Sequence, residues 1–160
     1  MSRKVPAAPQ TRSTRLTEQE RGAFGGFLRV HAVVTHCLDE RLRERHGLHL
    51  NEYEVLLILS EAPQPLRATE LAQRTVLTPG GVTRLVDRLI ERGFLERRAC
   101  ETDARGVMIA LTDAGRDAFT AAGRDHLTDI RSLFLSHLDR EGVAMLDELW
   151  SRVLGGSPVQ

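Results

Sequence analysis

Thr78-Pro79-Gly80-Gly81-Val82-Thr83-Arg84-Leu85-Val86-Asp87-Arg88-Leu89-Ile90-Glu91-Arg92-Gly93 is the stretch from which the fold can be read. Threonine is a favoured N-cap, because its hydroxyl accepts from an amide of the first turn. Proline suits the first helical position, where its missing N–H costs nothing. Val82, Leu85, Val86, Leu89 and Ile90 recur at helical spacing and form one apolar stripe. Gly93 stands where a helix exits through the left-handed region. The spacing therefore predicts an amphipathic helix from Pro79 to about Arg92.

Upstream, about Ala68 to Arg74 reads as a short helix with Leu71 and Ala72 turned inward, and Thr75-Val76-Leu77 as a tight turn. Downstream, Phe94 to Arg98 and Val107 to Leu111 read as two strands, with Ala99 to Gly106 as a polar loop. A helix pair with a tight turn followed by a β-hairpin is the order of a winged helix-turn-helix.

The flanks read as helices. Thr17-Glu18-Gln19-Glu20 is a capping box that opens a first helix, which stops at Gly47. Phe24, Phe27, His31, Val34 and Leu38 make one stripe on it; Val30, Val33 and Cys37 make a second. Two apolar stripes exceed what one core needs and point to a partner subunit. Asn51-Glu52-Tyr53-Glu54 reads as another capping box, with Leu50 and Val55 as its hydrophobic staple. That helix ends near Ser60, before the stiff Glu61-Ala62-Pro63-Gln64-Pro65 loop. Thr112 caps a long helix to about Leu138. A last helix, about Gly142 to Leu154, carries Leu146, Leu149, Trp150 and Val153.

The expected architecture is mainly α with a small β-hairpin wing. Residues 1–16 form a disordered basic arm, 17–62 N-terminal helices, 63–111 the winged helix-turn-helix and 112–156 C-terminal dimerisation helices.

Composition narrows the function classes. The chain has 160 residues, 41 % apolar and 28 % charged, enough for one domain with a core. Net charge is zero, and of 22 basic residues only Lys4 is lysine. No apolar run approaches a membrane span and no secretion signal is legible, so the expected compartment is the cytoplasm. The histidines form no ligand pair: His126 and His137 are separated by about 16 Å along a helix, too far for one ion. No metal site and no cofactor motif is expected. The serines lie in no nucleophile-elbow context and no phosphate loop is present, which argues against an enzyme.

Leu71-Ala72, the stretch from Thr78 to Leu89, Gly93-Phe94-Leu95-Glu96-Arg97-Arg98, Asp103-Ala104-Arg105 and Leu111-Thr112-Asp113-Ala114-Gly115, in this order and spacing, together resemble the MarR family of regulators. The resemblance implies a homodimer built from the first and last helices, set on double-stranded DNA at a near-palindromic operator. It also implies a repressor released by a small ligand or by oxidation. Two positions depart from the family pattern: Ala104, where the wing often carries arginine, and Val76, where the turn often carries glycine.

Within this frame the small residues Thr78, Gly80 and Gly81 let the helix approach DNA closely. Thr83 and Arg84 reach for base edges, and Arg88, one turn on, for a phosphate. Arg105 is expected in the minor groove, oriented by Asp103; Arg98 or Arg97, at the wing root, faces phosphate. His31 is either a satisfied core histidine or the polar group of an effector pocket, the effector being a small aromatic or carboxylate-bearing molecule. The alternatives are a redox-sensing regulator acting through Cys37 or Cys100, and a winged-helix module that binds only protein.

Overall fold

A computed structural model of the protein describes residues 15–155 apart from 101 and 102, and gives only the backbone for residues 100 and 103–106. The expected basic arm thus falls outside the described residues, except for Arg15 and Leu16. The elements run α1 (Glu18–His46), α2 (Leu50–Glu61), β1 (Leu66–Arg67), α3 (Ala68–Gln73), α4 (Pro79–Glu91), β2 (Leu95–Cys100), β3 (Asp103–Leu111), α5 (Asp113–Leu133), a 3₁₀ turn (Leu135–His137) and α6 (Arg140–Gly155).

Contacts divide the chain into two compact units, residues 1–33 and 34–160. The first is the N-terminal part of α1. Its capping box forms as read: Glu20 accepts from the Thr17 amide at 2.7 Å, and Thr17 Oγ1 accepts from the Glu20 amide at 3.2 Å. Phe24, Phe27, Val30 and Val33 are all exposed.

The second unit holds the core. The α4 stripe (Val82, Leu85, Val86, Leu89) packs with Leu48, Val55 and Leu56, with Leu71 of α3, and with Leu95 and Ile109 of the strands. The strands form one antiparallel sheet in the order β1-β3-β2, with Leu66 and Arg97 both opposite Ile109. Partners across a ladder share a face. Leu95, Ile109, Leu111 and Leu66 therefore lie on one side, and Glu96, Arg98, Met108 and Arg67 on the other.

Four expectations are corrected. The strands are longer than the apolar runs suggest: β2 extends to Cys100 and β3 starts at Asp103, so most of the expected Ala99–Gly106 loop is paired backbone. Polar residues continue the ladder because pairing needs only main-chain groups. A third strand, β1, joins the hairpin.

The α2 capping box is displaced by two residues. Glu52, not Glu54, turns back, accepting from the His49 amide at 3.0 Å, while Asp39 takes the Leu50 amide at 2.8 Å. Asn51 Oδ1 is instead buried, without a partner among the described residues. Finally, α5 stops at Leu133, where Phe134 leaves helical geometry (φ −132°), although apolar spacing continues to Leu138.

Candidate nucleic-acid interface

The first turn of α4 is built from small residues and is open on its outer side. Thr78 caps it, its Oγ1 accepting from the Gly81 amide at 3.2 Å. A Cβ added at Gly80 meets no heavy atom within 4 Å, and one at Gly81 has only Thr78 Oγ1 and Leu77 Cβ within that distance. The preceding turn exposes Val76, which is 92 % accessible. No non-glycine residue among those described has positive φ, so valine replaces the family's glycine here without strain.

Thr83 Oγ1 donates back to the Pro79 carbonyl at 3.1 Å, and Arg84 Nε to the Gly80 carbonyl at 3.3 Å. The Arg84 guanidinium therefore lies along the glycine turn. Among the described residues, no carboxylate pairs with Arg84 or Arg88. The structure thus brings Thr78, Gly80, Gly81, Thr83 and Arg84 onto one accessible turn, with Arg88 exposed one turn later.

The opposite end of α4 is tied down. Arg92 donates to the buried Glu52 carboxylate at 2.7 Å and to the Gly47 carbonyl at 2.9 Å, and its guanidinium lies 4.7 Å from the Phe94 ring centroid. Asp87 is ion-paired to Arg97, which fixes the helix to β2. Arg98 lies on the other sheet face and donates to Glu96 at 2.7 Å. The α5 N-terminus locks the wing root: Thr112 Oγ1 donates to the Gly93 carbonyl at 2.7 Å, and the Thr112 amide to the Phe94 carbonyl at 3.1 Å.

Asp103 and Arg105 are on the β3 backbone, but their side chains lie outside the described residues, as does that of Cys100. Cys37 is half-buried and not in a disulfide. His31 is exposed rather than a core residue, with its ring centroid 6.3 Å from that of Phe27. The core histidine is His126, which sequence reasoning weighed only as a metal ligand. It packs on Tyr53 with ring centroids 4.4 Å apart. Burial holds its imidazole below the ordinary range, against the opposing pull of Asp129. Arg41 and Arg45 clamp the buried Asp129 at 2.7 and 3.1 Å.

Comparison with known proteins gives the same order of motifs. Residues 46–106 match the model of a family described as the MarR family. The repressor YetL of Bacillus subtilis, an HTH-type transcriptional repressor, is 32 % identical over 134 residues, covering 81 % of this chain and 80 % of YetL. This chain belongs to the MarR family. A MarR family transcriptional regulator from Streptomyces coelicolor, solved in complex with DNA, is 28 % identical; the match covers 89 % of each chain with a TM-score of 0.84. CouR from Rhodococcus jostii, solved bound to p-coumaroyl-CoA, is 25 % identical over 84 % of this chain and 94 % of CouR, with a TM-score of 0.72. The MarR winged helix-turn-helix expected from the residues is the fold observed, and the protein is a transcriptional regulator of that family. Among the described residues, no helix is long and apolar enough to cross a membrane.

Sequence reasoning missed the role of Arg92, read only as the last residue of a helix. Its basic character at a helix C-terminus was the available signal. It also missed Arg67 and Arg74, which only the pairing of β1 with β3 brings near the wing.

Proposed function

We propose that this MarR-family protein is a homodimeric, sequence-specific DNA-binding repressor released by a small aromatic or carboxylate-bearing effector. The observation that carries the reading is the α4 first turn: two adjacent glycines with free space outside them, followed by an arginine that no carboxylate neutralises. In this reading α4 enters the major groove. Thr78, Gly80 and Gly81 approach the backbone, Thr83 and Arg84 read base edges, and Arg88 contacts a phosphate. Arg105 enters the minor groove beside Asp103. Arg98 faces away from α4 and is left out of the base-reading set. The DNA seen with the Streptomyces relative supports the partner, and the acyl-CoA seen with CouR supports an organic effector.

A second copy of the chain covers the apolar residues that a single copy exposes. On α1 these are Phe24, Phe27, Val30 and Val33; on α6, Met145, Leu149, Trp150, Val153 and Leu154. Large apolar interfaces of this kind are typical of obligate dimers. This assigns residues 17–62 and 112–156 to dimerisation and 63–111 to DNA. The test is to capture genomic DNA fragments on purified protein and sequence them. A near-palindromic motif with half-sites about one helical turn apart is expected. Recovery of fragments without a shared motif would overturn the sequence-specific reading.

A further inference from the structure

We propose that the face of the sheet turned away from α4 carries an organic-anion site, and that a flat carboxylate bound there is the effector that weakens operator binding. This rests on the reading of the protein as a DNA-binding repressor. The site is a recess of about 580 Å³ between the Pro63-Gln64-Pro65 loop, α3 and the outer sheet face. That volume is within the range of small-molecule sites.

Pairing builds its floor. Arg67 of β1 and Arg98 of β2 both stand opposite Met108 of β3, so one lateral row reads Arg67, Met108, Arg98. Strands lie roughly 4.8 Å apart, which sets the two arginine backbones about 10 Å from each other across the methionine. Arg74, seven residues after Arg67, closes the α3 side.

The chemistry of this lining selects the ligand class. A polarisable thioether between proline walls is a surface for an aromatic ring. Guanidinium groups around it match a carboxylate fork. Two acids temper the charge. Glu96 accepts from Arg98 at 2.7 Å, and Glu70 accepts from the Arg67 amide at 2.7 Å. Three guanidiniums against two carboxylates leave a positive excess, so an anion is favoured over a neutral or cationic analogue.

Position supplies the coupling. Arg67 and Arg74 flank α3, the first helix of the helix-turn-helix, whereas Arg98 and Met108 belong to the wing. An anion bridging them fixes the wing against α3, and so sets the spacing between the α4 reading turn and the wing. A ligand shifts such an equilibrium only by its preference for one spacing, so occupancy and operator affinity must change together.

The test uses the full-length chain with ¹³C-methyl methionine. The sequence has three methionines, Met1, Met108 and Met145, so Met108 reports the recess and Met145 on α6 reports the fold elsewhere. Benzoate is titrated against benzamide, which has the same ring without the charge. Benzoate should shift Met108 saturably with Met145 unmoved, and benzamide should bind at least about tenfold more weakly, as expected for a charge-assisted pair. The double variant Arg67→Gln, Arg74→Gln should lose the Met108 response while Met145 stays at its wild-type position. Saturating benzoate should also lower operator affinity severalfold. An unmoved Met108, an equal response to benzamide, or a response that survives in the double variant overturns the site. A Met108 shift with unchanged operator affinity overturns its assignment as the effector site. Failure to bind any operator without benzoate refutes the repressor reading instead, and the Met108 titration still decides the anion site.

Discussion

Two helices of this protein begin with the same device and use it for opposite ends. Helix α4 starts Thr78-Pro79-Gly80-Gly81 and α5 starts Thr112-Asp113-Ala114-Gly115. In each, the threonine hydroxyl accepts from the amide of the glycine three residues on, at 3.2 and 3.0 Å. At α5 the glycine is demanded from within, because an added Cβ would lie 2.1 Å from the Phe94 carbonyl oxygen. At α4 an added Cβ at Gly80 meets nothing. Glycine in a helix costs up to about 1 kcal/mol relative to alanine, so Gly80 is a local weakness that the fold of this chain does not explain. A surface that comes close from outside does explain it.

Substitutions should break the symmetry in a definite order. Gly115→Ala has the largest expected effect. The Cβ must displace backbone at the wing root, and the loss should be about 3 kcal/mol or more, read as a lowered urea midpoint or failure to fold. A wild-type midpoint would show that the close approach relaxes freely. Arg84→Ala should leave the midpoint nearly unchanged but weaken operator binding by about 1–3 kcal/mol, with relaxed preference at one position per half-site. Unchanged affinity and preference would remove Arg84 from the reading surface.

Gly80→Ala is smaller and has opposite signs in the two assays. Stability should rise by about 0.5 kcal/mol through helix propensity, while operator affinity falls. A rise in both would mean that nothing approaches this turn.

The smallest effect separates the two helices by pH. No histidine lies on α4, whereas α5 carries buried His126, whose imidazole burial holds below its ordinary value of 6.5. Above that value both folded and unfolded chains keep it neutral. As pH falls below it the unfolded chain takes up the proton first, so this contribution to stability is lost on acidification. His126→Gln should flatten the urea midpoint between about pH 6.5 and 5. The same slope in the variant would assign acid sensitivity to other groups.

The parts legible in the sequence are those decided locally. The caps at Thr17, Thr78 and Thr112 depend on residues three apart. The exits at Gly47 and Gly93, with φ of 63° and 76°, depend on one residue each. Features decided at a distance were misread. The α2 start moved because Asp39, eleven residues before Leu50, takes the Leu50 amide. The strands lengthened because ladder partners, not side-chain polarity, extend them. His31 looked internal because it shares a stripe with phenylalanines, yet that stripe is exposed in the single chain. The α4 reading turn was legible because its chemistry is carried by consecutive residues. The Arg67, Met108, Arg98 row was not, because its members are 41 and 10 residues apart and meet only across strands.

The unequal fastening of α4 also marks a boundary for redesign. Its far end is bolted through Arg92 to Glu52, Gly47 and Phe94, whereas residues 78–84 bond chiefly to themselves. A transplant from a related regulator that stops at residue 84 and keeps Val82 exchanges the address the protein reads while leaving its mounting intact. One that replaces Arg92 strands the buried Glu52 carboxylate and unseats α2. The recognition helix is therefore a detachable key on a fixed shank, and new operators are reached by recutting only its first two turns.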